Sequence, residues 1–415
     1  MCHYLMSPNR KHRLRLRRID RSASGCGFIP GNRITLLQNG EAYFPAIETA
    51  IDQAQYEIFL ETYIYEDDAI GQRIASALER AARRGVTAHL LIDGYGSQDL
   101  AQSMQNRLRA SGVNALIFRP KVSPWTFRRR RLRRMHRKIV VVDRKIAFVG
   151  GINIIADRTT PDMPPRYDFA VAVEGPLVDV IRHSSQRLWS AVSWRHCRKR
   201  GISAKTLPAS TFTGGEMRAA FLMRDNFHHR RGIEAEYLQA IEEAKDEIIL
   251  AHAYFLPGRH FRHALKRAAE RGVRVVLLLQ GKMEYLLEYY ASRALYGNLL
   301  TAGIEIYEYR TTFLHAKVAV IDGHWATVGS SNIDPFSLLL SNEANVVIED
   351  ETFGAALSES LKGIMATDGY RIMPDSWKKH PLRLRFFSWL CYSLLRWMQG
   401  ISGYAPSADR RVENE

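Results

Sequence analysis

One six-point frame, His-x-Lys-x4-Asp-x6-small-small-x-Asn, occurs twice in this chain. The first copy is His136, Lys138, Asp143, Gly150, Gly151 and Asn153; the second is His315, Lys317, Asp322, Gly329, Ser330 and Asn332, at identical internal spacings. Two copies of so long a pattern are not a coincidence of composition, and the likeness extends well outside the frame. Ala50-Ile51-Asp52-Gln53-Ala54 is matched by Ala240-Ile241-Glu242-Glu243-Ala244, and Leu78-Glu79-Arg80-Ala81-Ala82-Arg83-Arg84-Gly85-Val86 by Leu265-Lys266-Arg267-Ala268-Ala269-Glu270-Arg271-Gly272-Val273. A unit of this length is a duplicated domain and not a solenoid repeat of 20–50 residues. Each copy is expected to bring half of one site.

The spacing has a structural sense. Side chains at i and i+2 of a strand share a face, so His136 and Lys138 point the same way if residues 135–142 form a strand. Ile139-Val140-Val141-Val142 is β-branched throughout, which favours a buried strand. Asp143-Arg144 and Asp322-Gly323 read as turns, with return strands at 146–149 and 325–328. The small pairs that follow are expected to let backbone approach something closely, such as a phosphate. Upstream, residues 44–53 have helical periodicity, 56–65 read as a strand, 70–84 as a helix ending at Gly85, and 86–93 as a buried strand; this order implies a parallel βαβ unit.

The 415 residues divide on this reading into a basic N-terminal tail (1–31), a first domain (32–198), a linker rich in Ser, Thr, Pro and Gly (199–215), a second domain (216–377) and a C-terminal tail (378–415). Lys and Arg number 59 against 43 acids, a net charge of +16, which points to an anionic partner, nucleic acid or membrane. Basic residues crowd 10–18 and 128–134, the latter running straight into His136. No apolar segment follows the first cluster, so it is not a secretory signal. Cys2, Cys26, Cys197 and Cys391 form no metal-ligand or redox spacing. In the tail, 386–395 is an apolar run of ten, too short to span a bilayer. Its aromatic residues and the neighbouring Arg383, Arg385 and Arg396 favour a helix lying in the membrane interface over one packed as core.

The doubled frame resembles the phospholipase D superfamily. Phe148-Val149-Gly150-Gly151-Ile152-Asn153 and Thr327-Val328-Gly329-Ser330-Ser331-Asn332 make the chain most similar to the bacterial cardiolipin synthases, among them those without an N-terminal membrane-spanning pair. The resemblance covers about residues 33–350. It implies an α/β fold of two similar domains, each a mixed sheet flanked by helices, sharing one active site at a pseudo-twofold. It implies phosphatidyl transfer from one phosphatidylglycerol to another, giving cardiolipin and glycerol through a phosphohistidine. The catalytic set it implies is His136, Lys138, Asp143, His315, Lys317 and Asp322, with His136 as nucleophile and His315 as acid. Asp168 and Glu343, which follow the two motifs, are the expected histidine-orienting carboxylates.

Residue chemistry is consistent with that set. Two histidines divide the nucleophile and acid roles that one cannot fill in a single step. Lys138, Lys317, Asn153 and Asn332 suit the non-bridging phosphate oxygens. Asp143 and Asp322 stand at strand ends, where fixing the turn is the simpler role. No metal or other cofactor is expected: there is no His-x-x-x-His, and the lysines oppose a cation; nor is there a nucleotide-binding Gly-x4-Gly-Lys motif. The expected partners are phosphatidylglycerol and the cytoplasmic face of the cell membrane, held peripherally, with no nucleic acid. Hydrolysis with water as acceptor, or a phosphodiesterase or nuclease reaction, stays open as the alternative, since the charge also suits DNA; interleaved stacking aromatics of a single-strand groove are missing.

Overall fold

The structure, a computed structural model, describes residues 27–98, 100, 102–119, 134–156, 165–195, 212, 214–224, 232–334, 341–379 and 381–401. The basic stretch 10–18, arginines 128–133 and most of the 199–215 linker lie outside the described residues.

Among the described residues sixteen strands form one sheet. The first half holds β1 (Ile29–Gln38), β2 (Glu57–Thr62), β3 (Thr87–Asp93), β4 (Asn114–Phe118), β5 (Arg134–Met135), β6 (Lys138–Val142), β7 (Ile146–Gly150) and β8 (Phe169–Glu174). The second holds β9 (Met217–Arg224), β10 (Glu247–His252), β11 (Arg274–Gln280), β12 (Glu305–Tyr309), β13 (Lys317–Ile321), β14 (Trp325–Gly329), β15 (Ser341–Glu349) and β16 (Gly369–Arg371). The order is β4-β3-β2-β6-β7-β8-β1, then β9-β15-β14-β13-β10-β11-β12-β16, with β5 paired to β15 off this path. Both halves therefore run the same order outward from an antiparallel β1–β9 seam. The two expected sheets are one, and β1 starts inside the stretch assigned to the N-terminal tail. The predicted parallel unit is present: β2 pairs parallel with β3, and β10 with β11.

Helices cover both faces. On one face of the first half, α1 (Asn39–Asp52), α2 (Ala69–Arg83) and α3 (Gln102–Ala110) enclose an apolar cluster built on Ile47, Ile58, Leu78 and Phe148. On the other, α4 (Leu177–Arg195) packs on a cluster that continues beneath both halves. The second half repeats this. There, α5 (Gly232–Glu243) and α6 (Arg259–Glu270), then α7 (Leu286–Arg293) and α8 (Tyr296–Thr301), precede α9 (Glu351–Asp368), the counterpart of α4. The predicted terminating glycine after α2 has φ +87°, and its counterpart Gly272 has φ +92°, the left-handed geometry a glycine adopts without strain.

Two expectations need correction. Residues 135–142 are not one strand: His136 and Arg137 fall between β5 and β6. The His136 N–H donates to the Asn342 carbonyl at 3.0 Å, in the other half, and the His315 N–H donates to the Tyr167 carbonyl at 2.8 Å. Each histidine is thus hung by its backbone on the opposite domain. Nor do the small pairs cradle a phosphate with their amides. The Gly151 N–H donates to the Phe169 carbonyl and the Ser330 N–H to the Ala344 carbonyl. A Cβ on Gly150 would strike Ala170, and one on Gly151 the Asp168 carboxylate. Smallness here admits the neighbouring strand and its acid.

The assigned second domain ends in α10 (Pro374–Lys378), and the tail forms α11 (Leu382–Ile401). Ser388, Cys391 and Leu395 of α11 are buried, and the Phe387 ring stands edge-on to Tyr290 of α7 at 4.9 Å. The opposite face leaves Phe386, Trp389, Leu390 and Trp397 exposed. The helix therefore packs on the second domain along one face, as the core-packed reading has it, and presents aromatic surface on the other. Among the described residues no helix is long and apolar enough to cross a membrane.

Candidate active site

The two histidines are placed at the inner ends of β6 and β13, beside the bridges from Tyr167 to Leu314 and from β5 to β15 that join the halves. Their carboxylate partners come from the other half. His315 Nδ1 lies 2.6 Å from Asp168 Oδ2, and His136 Nδ1 lies 3.1 Å from Glu343 and 3.2 Å from the Ser330 carbonyl. With acceptors at Nδ1, that nitrogen carries the proton in the neutral ring, a tautomer assigned from the network. Nε2 is then left without the proton. The two acids are held in turn: Asp168 accepts the Phe169 N–H at 2.8 Å, and Glu343 accepts the Ser330 hydroxyl at 2.5 Å.

Lys138 and Lys317 sit beneath the histidines, 2% and 0% exposed. Each donates back to the carbonyl of its own histidine, Lys138 to His136 at 2.6 Å and Lys317 to His315. Burial, then the charge of Lys317, pulls the Lys138 ammonium down to about 7; burial pulls Lys317 down to about 8 against the pull of Asp168 and Glu343. Burial likewise lowers His136, against Glu343, and burial followed by Lys317 lowers His315 to about 3. For Asp168 burial acts upward, but Lys317 and His315 outweigh it and hold the carboxyl below its ordinary range. Each lysine acts on both histidines, so the two half-sites form one electrostatic unit.

Asp143 and Asp322 are not part of that unit. They stand at the far ends of β6 and β13, where Asp143 accepts the N–H groups of Gln55, Tyr56 and Glu57 at 2.5, 2.8 and 2.8 Å, and Asp322 those of Lys245, Asp246 and Glu247 at 2.9 Å each. Each anchors the start of β2 or β10 and stands in the left-handed turn residue (φ 50° and 51°), which fits the turn-fixing role. Asn153 and Asn332 follow β7 and β14. The Asn153 side-chain oxygen accepts the Ile64 N–H at 3.1 Å, while that of Asn332 is buried without a hydrogen-bond partner.

Three neighbours escaped sequence reasoning. Tyr63 stands edge-on to His136, ring centroids 4.8 Å apart, and 5.4 Å from the Lys138 ammonium. Arg137, between the motif's His and Lys, points away from the site into a buried pair with Glu61 (Nη2–Oε1 2.8 Å) and bonds Ser184 of α4 at 2.8 Å. Asp93 accepts the Met135 N–H at 2.8 Å and so positions the residue before His136. A lone Tyr, Arg or Asp in a strand carries no local signal of such contacts. Among the described residues no group of three or more His, Cys, Asp or Glu is clustered as a metal site.

Residues 47–189 and 237–365 match the family described as cardiolipin synthase, PLD-like domain. The chain belongs to this phospholipase D-like cardiolipin synthase family. Within it, the chain is 41% identical to cardiolipin synthase B of Escherichia coli K12 over 389 residues, 93% of each chain, and 42% identical to cardiolipin synthase B of Salmonella typhimurium over 384 residues, 92% of each. The crystal structure of phosphatidylserine synthase from Haemophilus influenzae superposes with a TM-score of 0.65 over 94% of this chain and 98% of that one, at 13% identity, a likeness of fold. The family's two matched segments are the two halves that meet at the histidines.

Proposed function

We propose that this family member is a cardiolipin synthase that moves a phosphatidyl group from one phosphatidylglycerol to the hydroxyl of another. The observation that carries the reading is the crossed pairing: two histidines, each held by the other half's carboxylate, over two buried lysines. The relatives at about two-fifths identity are named for that activity.

In the first step His136 Nε2 attacks phosphorus. A P–N bond forms, the P–O bond to the head group breaks, and the departing glycerol oxygen takes a proton from His315. In the second, His315 removes the proton from the incoming hydroxyl, which attacks phosphorus and breaks the P–N bond. Free His315 is almost entirely neutral near pH 7, since burial and Lys317 keep its proton affinity low. A phosphodiester anion between the lysines reverses that balance, and the tight Asp168 contact stabilises the imidazolium so formed. Lys138, Lys317, Asn153 and Asn332 serve the non-bridging oxygens. The exposed aromatic face of α11, with Arg383, Arg385 and Arg396, suits peripheral attachment to the anionic cytoplasmic leaflet.

The test is product analysis by mass spectrometry, with purified protein on phosphatidylglycerol vesicles. The expected products are cardiolipin and glycerol. Phosphatidic acid alone would make the protein a hydrolase.

A further inference from the structure

The two half-sites do not have the same walls. Where the first half puts Tyr63 over His136 and Lys138, the equivalent position two residues before the bridge partner (Tyr65 to Ile154, Phe255 to Ile333) is Ala253 in the second half. Within electrostatic reach of Lys317, two residues after His315, stand instead Glu284 and Arg166, with Tyr254 on Glu284. The Tyr254 hydroxyl donates to Glu284 Oε2 at 2.7 Å, and Arg166 Nη1 approaches Glu284 Oε1 at 3.6 Å, outside hydrogen-bond distance. The Tyr285 ring lies 6.1 Å from Tyr254, and the Arg166 guanidinium lies 5.4 Å from the Phe313 ring centroid.

This cluster is tied to the catalytic centre by its own segments. Arg166 precedes Tyr167, whose carbonyl holds the His315 N–H, and Asp168, whose carboxylate holds its ring. Phe313 is two residues before His315. Gln280, four residues before Glu284, accepts the Leu314 N–H at 2.9 Å. Glu284 and Arg166 both act electrostatically on Lys317. Yet the mechanism above uses neither of them. Glu284 is partly open, its side chain 23% exposed, and among the described residues its Oε1 has the Arg166 ion pair but no hydrogen bond.

We infer that Glu284 is a specificity-determining residue, whose open carboxylate oxygen accepts hydrogen bonds from a polyol head group on the His315 side of the site. This rests on the synthase reading and deepens it. In that reaction the leaving glycerol and the glycerol head of the acceptor occupy the same place in turn, next to the group that gives and takes the proton. A carboxylate beside the reacting oxygen binds free hydroxyls and touches nothing of a phosphate. An ammonium head group would also meet a carboxylate, but here it would face Arg166 and Lys317 as well. The neutral polyol is therefore preferred over the amino alcohol, by attraction to Glu284 and repulsion from its two cationic neighbours.

The experiment uses full-length protein and vesicles. Phosphatidylglycerol is compared with a phosphatidyl p-nitrophenol donor, and glycerol with ethanolamine as added acceptor. Glu284→Ala should lower kcat/KM for phosphatidylglycerol about tenfold, the scale of one hydrogen bond to a charged group, while the first-turnover burst of p-nitrophenol keeps the wild-type rate. The preference for glycerol over ethanolamine should collapse. Glu284→Gln retains an acceptor for Tyr254 and for a hydroxyl, and should recover most of the loss. Arg166→Met should raise ethanolamine use relative to glycerol. Equal loss on both donors, or an unmoved acceptor ratio in a variant that still makes cardiolipin, overturns this inference alone. Wild-type protein that makes only phosphatidic acid removes the synthase reading, and this inference with it.

Discussion

The two halves descend from one pattern but differ in how they hold their reactive residues. In the first, the acid after the motif is short: Asp168 packs against Gly151 and reaches across to His315 at 2.6 Å. In the second it is long: Glu343 takes the hydroxyl of Ser330, which replaces Gly151, and stands 3.1 Å from His136. Behind the motifs, buried Glu61 and Arg137 in one half correspond to Ala251 and Ala316 in the other, and Thr62 to His252. A symmetric scaffold thus presents two unlike histidines. The closer carboxylate lies at the histidine proposed to become an imidazolium, and the looser one at the proposed nucleophile. Duplication supplies two matching frames, and small side-chain differences around them allow the roles to separate.

The largest effects should come from the histidines, and they break the comparison most directly. His136→Ala and His315→Ala should each lower turnover on phosphatidylglycerol by at least about 10³-fold. A p-nitrophenyl leaving group needs no acid, so His315→Ala should still release p-nitrophenol in a first turnover and accumulate a phosphatidyl-histidine, detectable by radiolabelling after a quench in neutral denaturant, which spares the acid-labile P–N bond. His136→Ala should do neither. The reverse pattern would exchange the two roles.

Next come the crossed acids. Asp168→Asn and Glu343→Gln should cost on the order of 10²-fold. First-turnover rates on the two donors tell them apart: the burst of p-nitrophenol should be spared in Asp168→Asn, which supports the acid, and lost in Glu343→Gln, which supports the nucleophile. Equal behaviour of both variants would mean that each carboxylate merely holds the fold.

The lysines give a pH dependence. Lys138 and Lys317 lose their protons from about 7 and about 8 in the free site, so kcat/KM should fall as pH rises through that window. The limb in kcat should lie higher, because bound phosphodiester restores the charge. The sign for stability is opposite. Folding depresses these lysines from 10.5, so the unfolded chain binds protons that the folded one lacks. Their burial penalty grows as pH falls from 10.5 to about 7 and is constant below. Lys138→Met should therefore raise the melting temperature at pH 6 while removing activity.

Asp143→Asn and Asp322→Asn should have the smallest effect on turnover. Both should lower Tm, by about 1–3 kcal/mol of lost stability, with the larger cost at Asp143, which is buried more deeply. Calorimetry beside a rate assay decides this. A rate loss of 10³-fold without loss of Tm would return these acids to the chemistry.

Much of the architecture was legible from the chain alone. The parallel βαβ unit, the terminating glycines after α2 and α6 and the hairpins at Asp143 and Asp322 follow from β-branched runs, helical periodicity and turn chemistry. All of these act over a few residues. The motif histidines and lysines were legible because duplication repeats their spacing. What the sequence by itself determined is therefore the two half-units and the repeated histidines and lysines that meet between them. The tertiary structure alone decided which acid meets which histidine, that His136 leaves its strand to bond Asn342, that Gly151 is small to admit Asp168, and that α11 is both packed and exposed. The reason is distance along the chain. Asp168 and His315 are separated by 147 residues and His136 and Glu343 by 207; no local periodicity reports such a contact, and it exists only once the two halves close on each other through Tyr167–Leu314 and β5–β15.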